Sequence, residues 1–250
     1  MRLVSAEVLK LVRRRGTMIW CAILTIGSVV VAYTVLVALH AANASRHGPA
    51  GGADNFRHVA LLLAGLGNVA AILIGAASGS QDASSGVLRD LVVTGRPRKT
   101  LFRVRYPGAL IAFLPLLAVG FAVTVLGAYA FAGSLPTPTA STIGRYAAYL
   151  VAVAVLDIGI AIGFTAFVSS RVVVGVMIAW NAIVSHLLIA IGSLGSARNL
   201  IDVAAVQHLL PAADRDGNLQ MSLFTAIAVM VVWIFVFQRA GQWWTERRDI

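Results

Sequence analysis

Six apolar stretches divide the chain, at 18–39, 59–79, 107–132, 146–168, 172–191 and 221–237, with polar and basic segments between them. A helix rises 1.5 Å per residue, so about 20 apolar residues cross a hydrocarbon core of ~30 Å. Each stretch reaches roughly that length. The pattern predicts an all-α integral membrane protein built as a six-helix transmembrane bundle. Pro115 falls inside the third stretch and predicts a kink there. Several of the five tryptophans lie near the predicted span ends, where amphipathic rings anchor at the interface.

Residues 1–17 have a different period. At 100° per residue, Val4, Val8, Leu11 and Val12 share one face, and Arg2, Lys10, Arg13 and Arg14 lie opposite. This predicts an amphipathic helix in the interface, either a plain cationic anchor or a helix that also touches a partner. The segment at 196–210 also reads as helix, capped by Ser196 and stopped by Pro211. Its apolar part is too short to span, which predicts a re-entrant or interfacial element. The loop at 41–57 is rich in Gly and Ala and reads as mobile. Residues 239–250 read as a tail.

Composition agrees with the spans. Of 250 residues 59% are hydrophobic and 12% charged, where a soluble domain carries about a quarter charged residues. The net charge of +10 does not point to nucleic acid, because the cations cluster beside the apolar stretches. Fifteen Lys and Arg flank the spans on the side of the termini and five flank the other side, which predicts both termini in the cytoplasm. The 18 Arg against 2 Lys, with much Ala, Val and Gly, fit a GC-rich bacterial genome and a plasma-membrane location. The first apolar stretch, with Ala42-Asn43-Ala44 after it, imitates a cleaved signal peptide. At about 22 residues it is longer than the 7–15 of such a segment, and it reads as a span.

Motifs for bond chemistry are missing from the sequence. Gly65-Leu66-Gly67-Asn68-Val69-Ala70 matches a dinucleotide fingerprint in letters, but it lies within a span with no strand before it. No phosphate loop, no Gly-x-Ser-x-Gly and no His-Glu-x-x-His occurs. Cys21 is the one cysteine, so an internal disulfide and a cysteine-based zinc site are excluded. The expectation is that this chain is not an enzyme and holds no cofactor or metal of its own. Gly75-x-x-x-Gly79 and Gly159-x-x-x-Gly163 each put small residues on one helix face, either for packing inside one bundle or for a dimer seam.

Asp157 is the one acidic residue inside a predicted span. A carboxylate at that depth is costly, and it needs a partner or a water-filled cavity. The short turn Ser169-Ser170-Arg171 makes the fourth and fifth spans antiparallel neighbours. That brings Asn181 and His186 within reach of Asp157, as a structural hydrogen bond or as a proton or substrate site.

The loop at 80–106 is the most informative segment. Ser84 or Ser85 can cap a helix, Val87, Leu88, Leu91 and Val92 give it an apolar face, and Gly95 and Pro97 stop it. The stretch from Asp82 through Gly86, Val87, Leu88, Arg89, Asp90 and Leu91 to Gly95 resembles the cytoplasmic coupling segment in the permease subunits of type 2 ABC exporters. The opening Glu7-Val8-Leu9-Lys10-Leu11 and the outer helix before Leu210-Pro211 are similar to elements of the same family. The usual acidic residue at the start of the coupling segment, often Glu, is here Asp82. The likeness covers nearly the whole length.

That resemblance implies a short cytoplasmic coupling helix that docks on an ABC ATPase subunit. It implies a second permease chain as homodimer or heterodimer, and ATP and Mg bound in the partner subunit. The substrate, a drug, peptide, lipid or similar molecule, crosses the membrane without bond chemistry in this chain. Two other classes share the six spans: a non-transporting scaffold or immunity protein, and a membrane-embedded lipid-modifying enzyme. The latter needs clustered carboxylates, His or Cys beyond Asp157 and His186.

Overall fold

The computed structural model describes residues 2–84, 97–215 and 221–247. The chain is helical throughout its regular parts, with no strand among the described residues. Six helices are long and apolar enough to cross a membrane, so this is a multi-pass membrane protein. They are α2 (Arg15–Ala42), α3 (Gly52–Ser84), α5 (Arg105–Ala130), α6 (Ala140–Phe164), α7 (Ser170–Ala190) and α9 (Leu223–Arg247). Among the described residues three short α-helices accompany them: α1 (Arg2–Val12), α4 (Arg98–Arg103) and α8 (Asp202–Gln207). In membrane helices packing rather than hydrophobicity holds one span to the next. The bundle is therefore held by close approach of small residues and by buried polar contacts.

The centre of the bundle is α3, which packs against α2, α5, α6 and one half of α7. Gly75 and Gly79 allow the approach to α6. A Cβ on Gly75 would lie 2.9 Å from the Ala161 Cβ and 3.1 Å from the Ile158 Cα. On the far side of α6, Gly159 and Gly163 face α9, where a Cβ on Gly163 would run into the backbone of Phe237. Both small-residue stripes are thus used within one chain, as α3–α6 and α6–α9 seams. Tyr33 ties α2 to α5 by donating to the Thr124 carbonyl at 2.8 Å, and Tyr106 ties α5 to α6 by donating to the Val155 carbonyl at 2.9 Å.

Span boundaries shift outward from those the hydropathy suggests, because polar residues continue the helices. The second span starts at Gly52 rather than 59, with Asp54, Asn55, Arg57 and His58 already helical. The loop before it is fastened: the Gly51 amide donates to the Phe131 carbonyl, the Ala53 amide to that of Pro136, and the Asn55 side chain to that of Pro49. The last helix runs through Arg247, so the stretch from 239 that reads as a tail is helical to that point. Gly241 and Gln242 are buried there against α4 and α6. Cations at a helix C-terminus favour that continuation.

The N-terminal helix α1 does not lie free in the interface. It docks on α5, with Leu11 and Glu7 buried, while Leu9 and Val12 are exposed. Its packed face is therefore turned toward Glu7, and Val12 is not part of it. Glu7 pairs with Lys10 at 2.5 Å and accepts from the Ser78 hydroxyl at 3.1 Å, and Gly108 leaves room for its side chain. At the same end Arg105, itself buried, donates to the Gly79 carbonyl. Two spans contain a π-helical turn, at Ile23–Gly27 in α2 and at Trp180–Val184 in α7. Such turns rotate the helix face beyond them and recur at functional sites.

Candidate functional site

Asp157 sits on α6 with 3% of its surface exposed. One carboxylate oxygen accepts from Asn181 Nδ2 on α7 at 2.9 Å, and the other accepts from Asn68 Nδ2 on α3 at 2.6 Å. Two neutral amides from two different helices thus hold the group. Such hydrogen bonds repay part of the cost of burying a carboxylate, but they bring no positive charge. Asn181 reaches Asp157 because the π turn at Trp180–Val184 turns it inward. The same turn aims the neighbouring Trp180 at a second buried carboxylate, Asp202, at 2.9 Å.

A cavity of about 260 Å³ opens beside Asp157. It separates the C-terminal half of α7 from α3, and Val203, Val206 and Gln207 of α8 line it as well. His186 is on the same wall, one helical turn beyond Asn181. Gly65 on α3 and Ala182 on α7 both line the cavity and both are exposed, which places its mouth between those two helices. The remaining wall is largely apolar, including Leu61, Val153, Leu156 and Ile178, with Tyr149 at one side. Among the described residues no Lys or Arg lines it.

The segment at 192–210 closes the cavity at one end of the bundle. A 3₁₀ stretch, Gly192–Leu200, runs from the end of α7, and α8 follows it at Asp202. The helix is shorter than the sequence suggests. Its N-cap position is Ile201, which supplies no side-chain cap, and Asp202 in the first turn accepts from the Val203 amide; Ser196 lies in the preceding 3₁₀ stretch. The segment descends along α7 and α9. Trp233 Nε1 donates to the Leu200 carbonyl at 2.9 Å, and Arg198 reaches the Ile189 carbonyl. Trp180 and Trp233 lie well inside their helices and hold this segment. Ala204, Ala205, Val206 and Leu210 are buried in return, while Leu200 is exposed.

A latch fastens the far end of the same segment. Asp214 accepts from Arg57 on α3, in a short ion pair, and from the Tyr146 hydroxyl on α6 at 2.6 Å. Burial alone would raise the Asp214 carboxyl. The Arg57 and Tyr146 hydrogen bonds and the Arg57 charge outweigh it and hold the group below its ordinary value. At Asp202 the balance is reversed: burial raises the carboxyl, and the hydrogen bonds from Trp180 and from the backbone offset only part of that.

Of the coupling residues read from the sequence, Asp82 lies on the last turn of α3, and Gly86, Val87, Leu88, Arg89, Asp90, Leu91 and Gly95 lie outside the described residues. The chain re-enters the structure at α4, which buries Leu101 and Phe102 and packs on α9. Arg103 donates there to Gln242 at 3.1 Å. Asn68 is the member of the Asp157 site that the sequence does not expose, because nothing local indicates which neighbour α3 presents to α6. Among the described residues no group of three or more His, Cys, Asp and Glu is placed to hold a metal ion. Compared with known proteins, the chain matches no family model and no curated protein.

Proposed function

We propose that this chain is the transmembrane permease subunit of an ATP-binding-cassette exporter, driven by ATP hydrolysed in a separate subunit. The observation that carries the reading is the layout of α3. This single helix of 33 residues supplies Asn68 and Gly65 to the Asp157 cavity, and it ends at Ser84, where the segment resembling a coupling helix begins. A rigid rod joins the two places, so movement of the coupling segment would be felt at the cavity. At the same face, α1 braces α3 through Glu7 and Ser78, and α4 braces α9 through Arg103 and Gln242. The sequence carries no nucleotide-binding motif, which assigns ATP and Mg to the partner.

In this reading both termini are cytoplasmic, the membrane is a bacterial plasma membrane, and two permease chains, alike or different, form the path. The substrate enters the cavity through the gap between α3 and α7, and the segment at 192–210 covers its far end. The test is affinity purification of the tagged chain from its native membranes. A stoichiometric ATP-binding-cassette protein should co-purify, and Leu88→Asp with Leu91→Asp should release it while the permease still inserts. Purification of the intact chain without any such ATPase would refute the reading.

A further inference from the structure

We infer that the Asp157 cavity is a binding site for a small organic cation with an apolar body, such as a primary amine of about ten heavy atoms. The inference names a substrate class for the proposed permease, but the binding itself requires only this chain. Three observations carry it. First, the Asp157 carboxyl group lines the cavity and is held in place by two amide donors, Asn68 and Asn181, on two different helices. Second, among the described residues no Lys or Arg lines the cavity beside this carboxyl group. An intramembrane carboxyl group at a cavity marks a functional site by default, and a cationic ligand would complement it.

Third, the walls suit the body of such a ligand. Leu61, Val153, Leu156 and Ile178 are apolar, and Tyr149 offers an aromatic ring beside them. A cation on an apolar body gains from both parts of this surface, whereas an anion would meet Asp157. An engineered cavity of 150 Å³ accepts benzene, so about 260 Å³ holds roughly ten heavy atoms. The entrance is already present. Gly65 and Ala182 are exposed at the rim, and nothing lies within 4 Å of a Cβ built on Gly65.

The test is equilibrium binding of 2-phenylethylamine, as its ammonium ion, to the purified full-length chain in lipid nanodiscs. 2-Phenylethanol, of the same size and uncharged, is the comparison. The expected result is saturable binding of the amine at least tenfold tighter than that of the alcohol. Asp157→Asn, which keeps a hydrogen-bonding group of the same shape, should remove that preference. Gly65→Leu should weaken both ligands at least tenfold by filling the mouth. It keeps the charge, and it stays informative should Asp157→Asn not remain monodisperse on size exclusion. Equal binding of amine and alcohol, absence of saturable binding, or an amine affinity unchanged in Gly65→Leu would overturn the inference. Cation binding without a co-purifying ATPase would leave this site standing and remove the exporter reading. A co-purifying ATPase without cation binding would do the opposite.

Discussion

Replacing Asp214 by Asn should loosen the closure of the bundle at the end where α8 lies. The carboxylate joins three segments far apart in sequence: Arg57 of α3, Tyr146 of α6 and the chain after α8. Removing one partner of a fully buried ion pair costs about 3–5 kcal/mol. Here the Asp214 side chain is 4% exposed but that of Arg57 is 38%, so solvent screens the pair and the expected coupling falls to roughly 1–2 kcal/mol. At about 2–4 °C per kcal/mol for a chain of this size, the single change should lower the melting temperature by roughly 2–8 °C. The assay is thermal unfolding in detergent micelles of Asp214→Asn, Arg57→Gln and the double variant, arranged as a cycle. The sign of the pH dependence is fixed by the lowered Asp214 carboxyl. Its stabilising contribution is complete above the ordinary carboxylate value of about 3.9 and is lost as pH falls through the lower folded value. The gap between wild type and Asp214→Asn should therefore be flat from neutral pH down to about pH 5 and close below about pH 4. Single effects that add to within about 0.3 kcal/mol would refute the latch.

Asp202→Asn should act in the opposite direction and raise the melting temperature at pH 7 by about 2–4 °C. Asn still accepts from Trp180 and caps Val203, and it removes a carboxylate that burial disfavours; the gain should shrink as pH falls, and a lower melting temperature at pH 7 would contradict this. Gly163→Val should abolish a monodisperse bundle, because overpacking costs about 1–3 kcal/mol even against side chains and here the obstacle is the Phe237 backbone. Gly175→Ala, with nothing within 4 Å, should change stability by less than about 0.5 kcal/mol, as size exclusion and thermal melting of the pair will show. Glu7→Ala should loosen α1 from α3 and speed tryptic cleavage at Arg13–Arg15 at least about tenfold, since a lost charged hydrogen bond is worth about 1.5–3 kcal/mol. An unchanged cleavage rate would mean that Leu11 alone docks the helix.

The six spans were legible because an uncharged apolar run of about 20 residues matches the thickness of a bilayer and is too long for most buried core helices. Their ends were less so. Asn55 and Arg57 read as loop residues, yet they are helical because Pro49 and Asp214, distant or unmarked in sequence, satisfy their side chains. Asp157 announced itself as the one carboxylate within a predicted span, and the short turn at Ser170 exposed Asn181 as a neighbour. Asn68 stayed hidden because the pairing of α3 with α6 is set by where Gly75 and Gly79 permit close approach. A glycine pattern shows that a helix packs closely without showing on what. The π turn at Trp180–Val184 has no sequence mark either, although it decides that Trp180 and Asn181 each meet a buried carboxylate. The packed face of α1 departs from the apolar pattern around Val12 because Glu7, an acidic residue, belongs to the packed side through Lys10 and Ser78.

The most direct measurement of the central claim is the accessibility of the cavity mouth during ATP turnover. Ala182→Cys in a Cys21→Ser background places a single thiol at the rim of the Asp157 cavity. Its rate of labelling by a membrane-impermeant, charged thiol reagent is read in membranes from cells that express the whole system, with and without ATP and vanadate. A permease driven by a partner ATPase predicts labelling in one nucleotide state and at least a severalfold change of rate in the other. A thiol that labels at the same rate in both states, or in neither, would contradict the account.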